Sequence, residues 1–295
     1  SLYSSLSCDK SKCKGPLAYY EDLACTPIYG AGDTCCAVKY NCDHLKGRSE
    51  NKCYYKGHEY EIGETLRAED AKPCDIGCSC SPGWKGPAHF SCAIVDCFNK
   101  PGPGCYLKRS HNQCCPGAQV LPPFGNDTVA ECVVDGKTYL DGHQFTPKSD
   151  PTLSCICSEG YKGENVAPFC EPVVPETFSC DIELRQAANI VNNCTPSFYS
   201  TQNPATECSF FYRCQNKDDV VVKSENAAVA GVTPVSDPDS TCIFGQLTMG
   251  IGDQLNAGTH YSSVCLKCVC EVPPTPTCQR LPDDECDITV HAKFD

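Results

Sequence analysis

One methionine and one tryptophan in 295 residues leave little material for a large apolar core. No stretch approaches the roughly 20 consecutive apolar residues of a membrane-spanning helix. Positive charge is scarce as well: 24 Lys and Arg stand against 37 Asp and Glu, a formal net charge of −13. That balance argues against nucleic acid and anionic membranes as main partners, since both select basic surfaces. A basic protein partner fits better, although acidity commonly serves solubility alone. Catalytic signatures are missing too. There is no G-x-S-x-G, no H-E-x-x-H and no phosphate-binding loop. His44, His58, His89, His111, His143, His260 and His291 are scattered along the chain, and nothing local brings the first four together. Asp283-Asp284-Glu285 lacks the alternation of a calcium loop and reads as a solvated charge run. The expectation is therefore no enzyme, no cofactor and no metal. The opening, SLYSSLSCDK, has neither the basic start nor the apolar segment of a signal peptide and reads as a processed, mature form.

Cysteine is what the chain has in excess: 29, about one residue in ten. That density marks a secreted disulfide scaffold and makes a reducing cytosol an unlikely home. With 22 Gly and 23 Pro, it predicts a small disulfide-rich fold, mainly β, with short strands and irregular loops. The count is odd, so one thiol lacks an intramolecular partner if all the others pair.

The cysteines repeat in phase. Three segments open alike, from Cys53, Cys132 and Cys242. Seven residues on stands an apolar residue (Tyr60, Tyr139, Met249), ten on a glycine (Gly63, Gly142, Gly252), and thirteen on an apolar residue again (Leu66, Phe145, Leu255). Lys56-Gly57 and Asp135-Gly136 predict hairpin turns, because glycine supplies the positive φ such turns need. Each opening leads to a cluster: Cys74, Cys78 and Cys80; then Cys155 and Cys157; then Cys265, Cys268 and Cys270. The first two are followed by Gly83-Trp84-Lys85-Gly86 and Gly160-Tyr161-Lys162-Gly163. Second halves follow, through Cys92 and Cys97, Cys170 and Cys180, or Cys278 and Cys286, toward Cys114-Cys115 in one repeat and Glu207-Cys208 in another. Cys8, Cys13, Cys25, Cys35-Cys36 and Cys42 match such a second half alone, with Cys8 corresponding to Cys92. A string of small modules is expected rather than one domain.

This ordered set, a hairpin opening, C-x-x-C-x-C, spaced single cysteines, then C-C and a final cysteine, resembles the von Willebrand factor type C module. It is similar in arrangement to the tandem modules of chordin-like, kielin-like and crossveinless-like secreted proteins, in the style of an arthropod member. The resemblance implies elongated two-part modules, a small β-sheet half followed by a half held largely by disulfides. The expected organisation is a C-terminal half-module at 1–42, modules at 53–121 and 132–214, the latter with a helical insertion, a linker at 215–241, and an N-terminal half-module at 242–286.

Against the ten cysteines of that family, the four segments carry six, nine, eight and six. Leu121 occupies the last position of the first full module, six residues after Cys115, as Cys42 follows Cys36 and Cys214 follows Cys208. The unpaired thiol is therefore expected in that module, inert or bridging another chain. The second full module lacks two positions together, near Thr152 and at Glu207. Their joint loss implies that they bridge each other where present, which predicts a Cys74–Cys114 disulfide. The two terminal half-modules could complete one another if the chain ends meet.

Asp181 to Val191 predicts a helix capped by Asp181, with Ile182, Ala187 and Val191 on one face. A short strand is expected at Val220–Val222. Asn126 and Asn193 are glycosylation sequons. Cys265 and Cys268 have half a zinc-ribbon spacing, but disulfides are the expected state in an oxidising compartment. Tyr54, Tyr55, Tyr60, Trp84, Phe210, Phe211 and Tyr212 are the candidate partner-binding residues, because exposed aromatics anchor interfaces. The plain alternative is that each belongs to a mini-core. The function expected is a secreted, non-enzymatic, multi-module protein that binds extracellular protein ligands; the resemblance implies growth factors of the bone-morphogenetic-protein type. Two alternatives remain: a structural or cross-linking component of matrix, haemolymph or secretion, forming disulfide-linked or self-associated oligomers; and a protease inhibitor or defence protein.

Overall fold

The computed structural model describes residues 8–97, 100–117, 119–120, 129–173, 179–224, 240–258 and 263–286. It is a small disulfide-rich fold of short strands with few helices, carrying 14 disulfides. The chain divides into two compact units. The first takes residues 1–62, 81–89 and 179–295, and the second takes 63–80 and 90–178. No helix among the described residues is long and apolar enough to cross a membrane.

The three openings fold alike. Each is an antiparallel hairpin: Lys52–Tyr55 with His58–Glu61, Glu131–Val134 with Lys137–Leu140, and Thr241–Phe244 with Leu247–Gly250. At the first two turns both central residues have positive φ, Lys56 and Gly57, then Asp135 and Gly136. This matches the right-handed twist of the flanking strands. Ten residues after each opening cysteine, Gly63, Gly142 and Gly252 also have positive φ. Their N–H groups donate to the carbonyls of Cys80, Cys157 and Cys270 at 2.8, 2.7 and 2.8 Å. The bond recurs three times because the glycine turns the chain back over the cysteine cluster.

The pairing recurs as well. Cys132–Cys157 and Cys242–Cys270 tie hairpin to cluster. Cys78–Cys92, Cys155–Cys170 and Cys268–Cys278 tie cluster to the following segment. In the second halves, Cys13–Cys36, Cys97–Cys115 and Cys180–Cys208 are equivalent, as are Cys25–Cys42 and Cys194–Cys214. Cys74 is bonded to Cys114. Cys53 and Cys80 are also in disulfides. Cys105 is the free cysteine. It stands where Cys25 and Cys194 stand in their segments, and Leu121, at its partner's position, lies outside the described residues.

The terminal segments depart from the expected correspondence. Cys8 bonds Cys35, not the counterpart of Cys78, so its match to Cys92 is one of spacing only. Cys265 bonds Cys286, so the Cys265–Cys268 spacing is neither a zinc half-site nor a redox pair. The two segments meet without a disulfide between them. Helix α1 (Leu17–Asp22) is buried on Ile182, Ala205 and Val272. The Tyr20 hydroxyl, fully buried, donates to Val272 O at 2.6 Å and accepts from Thr275 N–H at 2.8 Å. Its ring stacks on Tyr40 at 4.3 Å, and Tyr40 N–H donates to Pro273 O.

The predicted helix is broken. It forms α2 (Ile182–Arg185) and α3 (Ala187–Val191), separated at Gln186, whose φ of −131° is not helical. Asp181 sits at the cap in the left-handed region and makes no capping bond. Asp22, distant in sequence, accepts instead from the N–H groups of Cys180, Asp181 and Ile182. The break also undoes the shared face: Ile182 is buried and Val191 is exposed.

In the first unit a six-stranded sheet runs in the order 211–213, 195–198, 277–280, 266–269, 254–255, 221–222. Only the second and third of these pair in parallel. The Val221–Val222 strand falls within the predicted short segment. Arg213, the last residue of the 211–213 edge strand, is 1% exposed, bonded to Asp219 at 2.5 Å and set over the Phe244 ring. The second unit has a three-stranded sheet, 144–145, 153–156 and 170–172. Its core is Phe145 with Cys132, Cys155, Cys157 and Cys170, and a file of rings, Tyr139, Phe145, Tyr161 and Phe169, packs along it with successive centroids 5.1–5.5 Å apart.

Two expected outcomes follow from the glycine turns. Gly252→Ala should cost about 1–2 kcal/mol, the strain of an L-residue at positive φ, because its Cβ would meet nothing closer than 3.4 Å. Gly142→Ala should cost more, since its Cβ would lie 2.8 Å from Lys108 Cα. Unfolding under non-reducing conditions ranks the two. Beside Gly252, the Asp253 carboxylate accepts from Gly250 and Ser224 N–H and pairs with Lys223. Burial alone would raise its pKa, but these partners hold it below the ordinary carboxylate value. A lowered folded pKa stabilises above the unfolded value, about 3.9, and loses that stability as pH falls through the folded one. Asp253→Asn should therefore destabilise at neutral pH, with the gap to wild type closing below about pH 4.

Candidate functional site

The aromatic candidates separate by environment. Tyr55 and Tyr60 are core residues at 2% and 1% exposure, and the Tyr55 hydroxyl donates to Asp181 at 2.7 Å. Phe211 packs against the Phe244–Met249 cluster and Tyr212 against the α1 cluster, where burial pushes its phenol up to about 12. Phe210 is 58% exposed beside Tyr199, ring centroids 4.0 Å apart. Trp84 is 89% exposed. Its turn is tight: a Cβ on Gly83 would fall 2.3 Å from Gly86 O and Pro87 O, and Lys85 has positive φ. The Gly-Trp-Lys-Gly motif thus holds an indole in solvent on a turn that only glycine permits.

Tyr54 has a different place, on the wall of a groove of about 620 Å³ within the first unit. Strand Ala37–Asn41, the turn Asp43–Leu45, the start of the first hairpin, residues 87–89, α3 and strand Thr241–Phe244 surround it. Its apolar lining includes Tyr40, Leu45, Ile190, Val191 and Ile243. Burial raises the phenols of Tyr19 and Tyr40, the latter to about 12, so both line the groove as neutral hydroxyls. At the Tyr54 side, Arg48 Nη1 lies 2.8 Å from Glu183 Oε1 and its guanidinium sits 4.4 Å over the Tyr54 ring. The other Glu183 oxygen accepts from Lys56 N–H, and Tyr54 Oη accepts from Ser49 N–H. Lys52 bridges Glu59 and Glu61, which raise its pKa. A groove of this volume, lined by apolar and polar groups together, falls in the size range of small-ligand sites.

The other sequence candidates do not converge. His44 contacts Leu23 O, His58 lies edge-on to Tyr60, His89 lines the groove, and His111 lies against Phe169 O in the second unit. Cys13, Cys35 and Cys36 bring three sulfurs within 4.8 Å, as do Cys97, Cys114 and Cys115, but all six are in disulfides. Asn193 borders the groove, with its side-chain amide 3.4 Å from Gly245 O and Thr195 of its sequon fully buried. Asn126 lies outside the described residues. Arg48 and Glu183 carried no sequence signal. One lies in a stretch between two repeats, and the other is a charge within the predicted 181–191 helix. No family model matches the chain, and no solved structure matches it.

Proposed function

We propose that this is a secreted, non-enzymatic binding protein, built from tandem modules of the von Willebrand type C kind, whose ligand is an extracellular protein. The observation that carries the reading is Trp84, 89% exposed on a tight glycine turn. A large indole left in water on a turn of fixed backbone is the kind of side chain that anchors an interface once buried. The 14 disulfides support an oxidising, extracellular setting. The net charge of −13 favours a basic ligand, and the module resemblance points to growth factors of the bone-morphogenetic-protein type.

Trp84 is the one tryptophan, so its fluorescence reports its own surroundings. Titration with a basic growth factor of that type, itself followed in a tryptophan-free form, should shift the emission to the blue. Trp84→Ala should weaken binding by about 2 kcal/mol or more, the loss that defines a hot spot. Retention of no extracellular protein by the immobilised chain from its native fluid would sink the reading.

The half-buried thiol of Cys105 favours a second reading, a cross-linked structural component. One thiol per native chain should react with a maleimide, at Cys105. Non-reducing electrophoresis decides the role: a covalent dimer abolished by Cys105→Ser supports cross-linking, and a monomer in both proteins removes it.

A further inference from the structure

We propose that the groove of the first unit is a binding site for a small anionic amphiphile, a long-chain carboxylate. The apolar half of the argument is surface left open. Ile28 and Val191, both in the lining, are 37% and 46% exposed, and with Leu45, Ile190 and Ile243 they bound about 620 Å³. A hydrocarbon chain laid there covers side chains that otherwise face water, the main gain of burial.

The polar half is Arg48. Its side chain is 19% exposed, and its position is fixed by Glu183 at Nη1 and by the Tyr54 ring beneath the guanidinium plane. Among the described residues, Nε and Nη2 have no hydrogen-bond acceptor, so part of the guanidinium fork is unspent. A planar fork of this kind matches a carboxylate in a two-pronged hydrogen bond. Glu183 meets the guanidinium through Oε1, while its Oε2 accepts from Lys56 N–H. Of the other cations in the lining, Lys46 pairs with Asp43 and Lys52 with Glu59 and Glu61, so the anionic head is assigned to Arg48. Tyr19 and Tyr40 add neutral hydroxyls rather than phenolates. An anionic head at Arg48 with its tail along the apolar wall uses both halves.

Neither Trp84 nor Phe210 lines the groove, so this site and the protein-binding surface fail independently. The test is calorimetric titration of the full chain with dodecanoate below its micelle concentration, with dodecanol as the uncharged control. Wild type should bind dodecanoate saturably, one per chain, at least tenfold tighter than dodecanol. Arg48→Gln should bring dodecanoate down to the level of dodecanol. Because that change leaves Glu183 unpaired, the neutral pair Arg48→Gln/Glu183→Gln serves as the second variant and should behave the same. Val191→Trp, at an exposed position, should block both ligands, and Trp84→Ala should change neither. Absence of saturable binding by wild type, full affinity in the neutral pair, or insensitivity to Val191→Trp would each overturn the proposal. So would displacement of dodecanoate by an acidic apolar peptide that binds more tightly, which would assign the groove to a protein segment.

Discussion

Two cysteines two residues apart, one on a strand and the other just past its end, set the terms for the whole fold. Cys155 with Cys157, like Cys268 with Cys270, is fully buried. One reaches back to the hairpin, to Cys132 or Cys242. The other crosses to the residue directly opposite on the return strand, Cys170 or Cys278, with Cα atoms 4.0 Å apart. A spacing that short belongs to the closely approached pairs of an antiparallel ladder. Hairpin, cluster and return strand are thereby fixed at one point, and the positive-φ glycine folds the chain over it. Each bridge contributes about 2–4 kcal/mol, mainly by restricting the unfolded chain. Closed loops run from 10 residues at Cys268–Cys278 to 40 at Cys74–Cys114. This is how a chain with one methionine and one tryptophan holds a fixed structure without a large core.

Local chemistry was therefore readable in the sequence, and distant chemistry was not. The hairpin turns at Lys56-Gly57 and Asp135-Gly136, the three phased glycines and the apolar positions seven residues after each opening cysteine depend only on neighbours a few residues away. The helix at 181–191 was legible as helical tendency, but its break at Gln186 and its cap from Asp22 were not, because Asp22 lies about as far along the chain as a domain is long. The same limit hid Tyr20, whose hydroxyl bonds to Val272 and Thr275. Cys8 and Cys286 show the converse error. Spacing placed them with Cys92 and Cys97, yet each closes a loop within its own segment, onto Cys35 and Cys265. Spacing constrains which cysteines can meet, and geometry decides which do.

Burial of charge follows the same division. Arg213 and Asp219 lie only six residues apart, both 1% exposed, and Arg213 also meets the sulfur of Cys268. Taking two charges from water gains little net stability, so this pair does more to fix the edge strand against the core than to strengthen it. Arg213 Nε is buried without a hydrogen-bond partner among the described residues. Arg48 and Glu183 come from segments far apart in sequence, and the remaining donors of that arginine lie on the wall of the groove.

The two binding readings rest on one mechanical property. A disulfide frame of short loops cannot remodel itself around a partner, so its recognition groups must be in place beforehand. Trp84 satisfies this by a glycine turn that admits no Cβ at Gly83. Arg48 satisfies it by a carboxylate on one side and an aromatic face on the other. For Arg48 the ordering cost of the contact side chain is met during folding, whereas for Trp84 only that of the backbone is. Such a protein gains specificity from rigidity. A flexible acidic chain of the same composition would attract basic partners indiscriminately, whereas this one presents an indole and a half-used guanidinium at fixed positions.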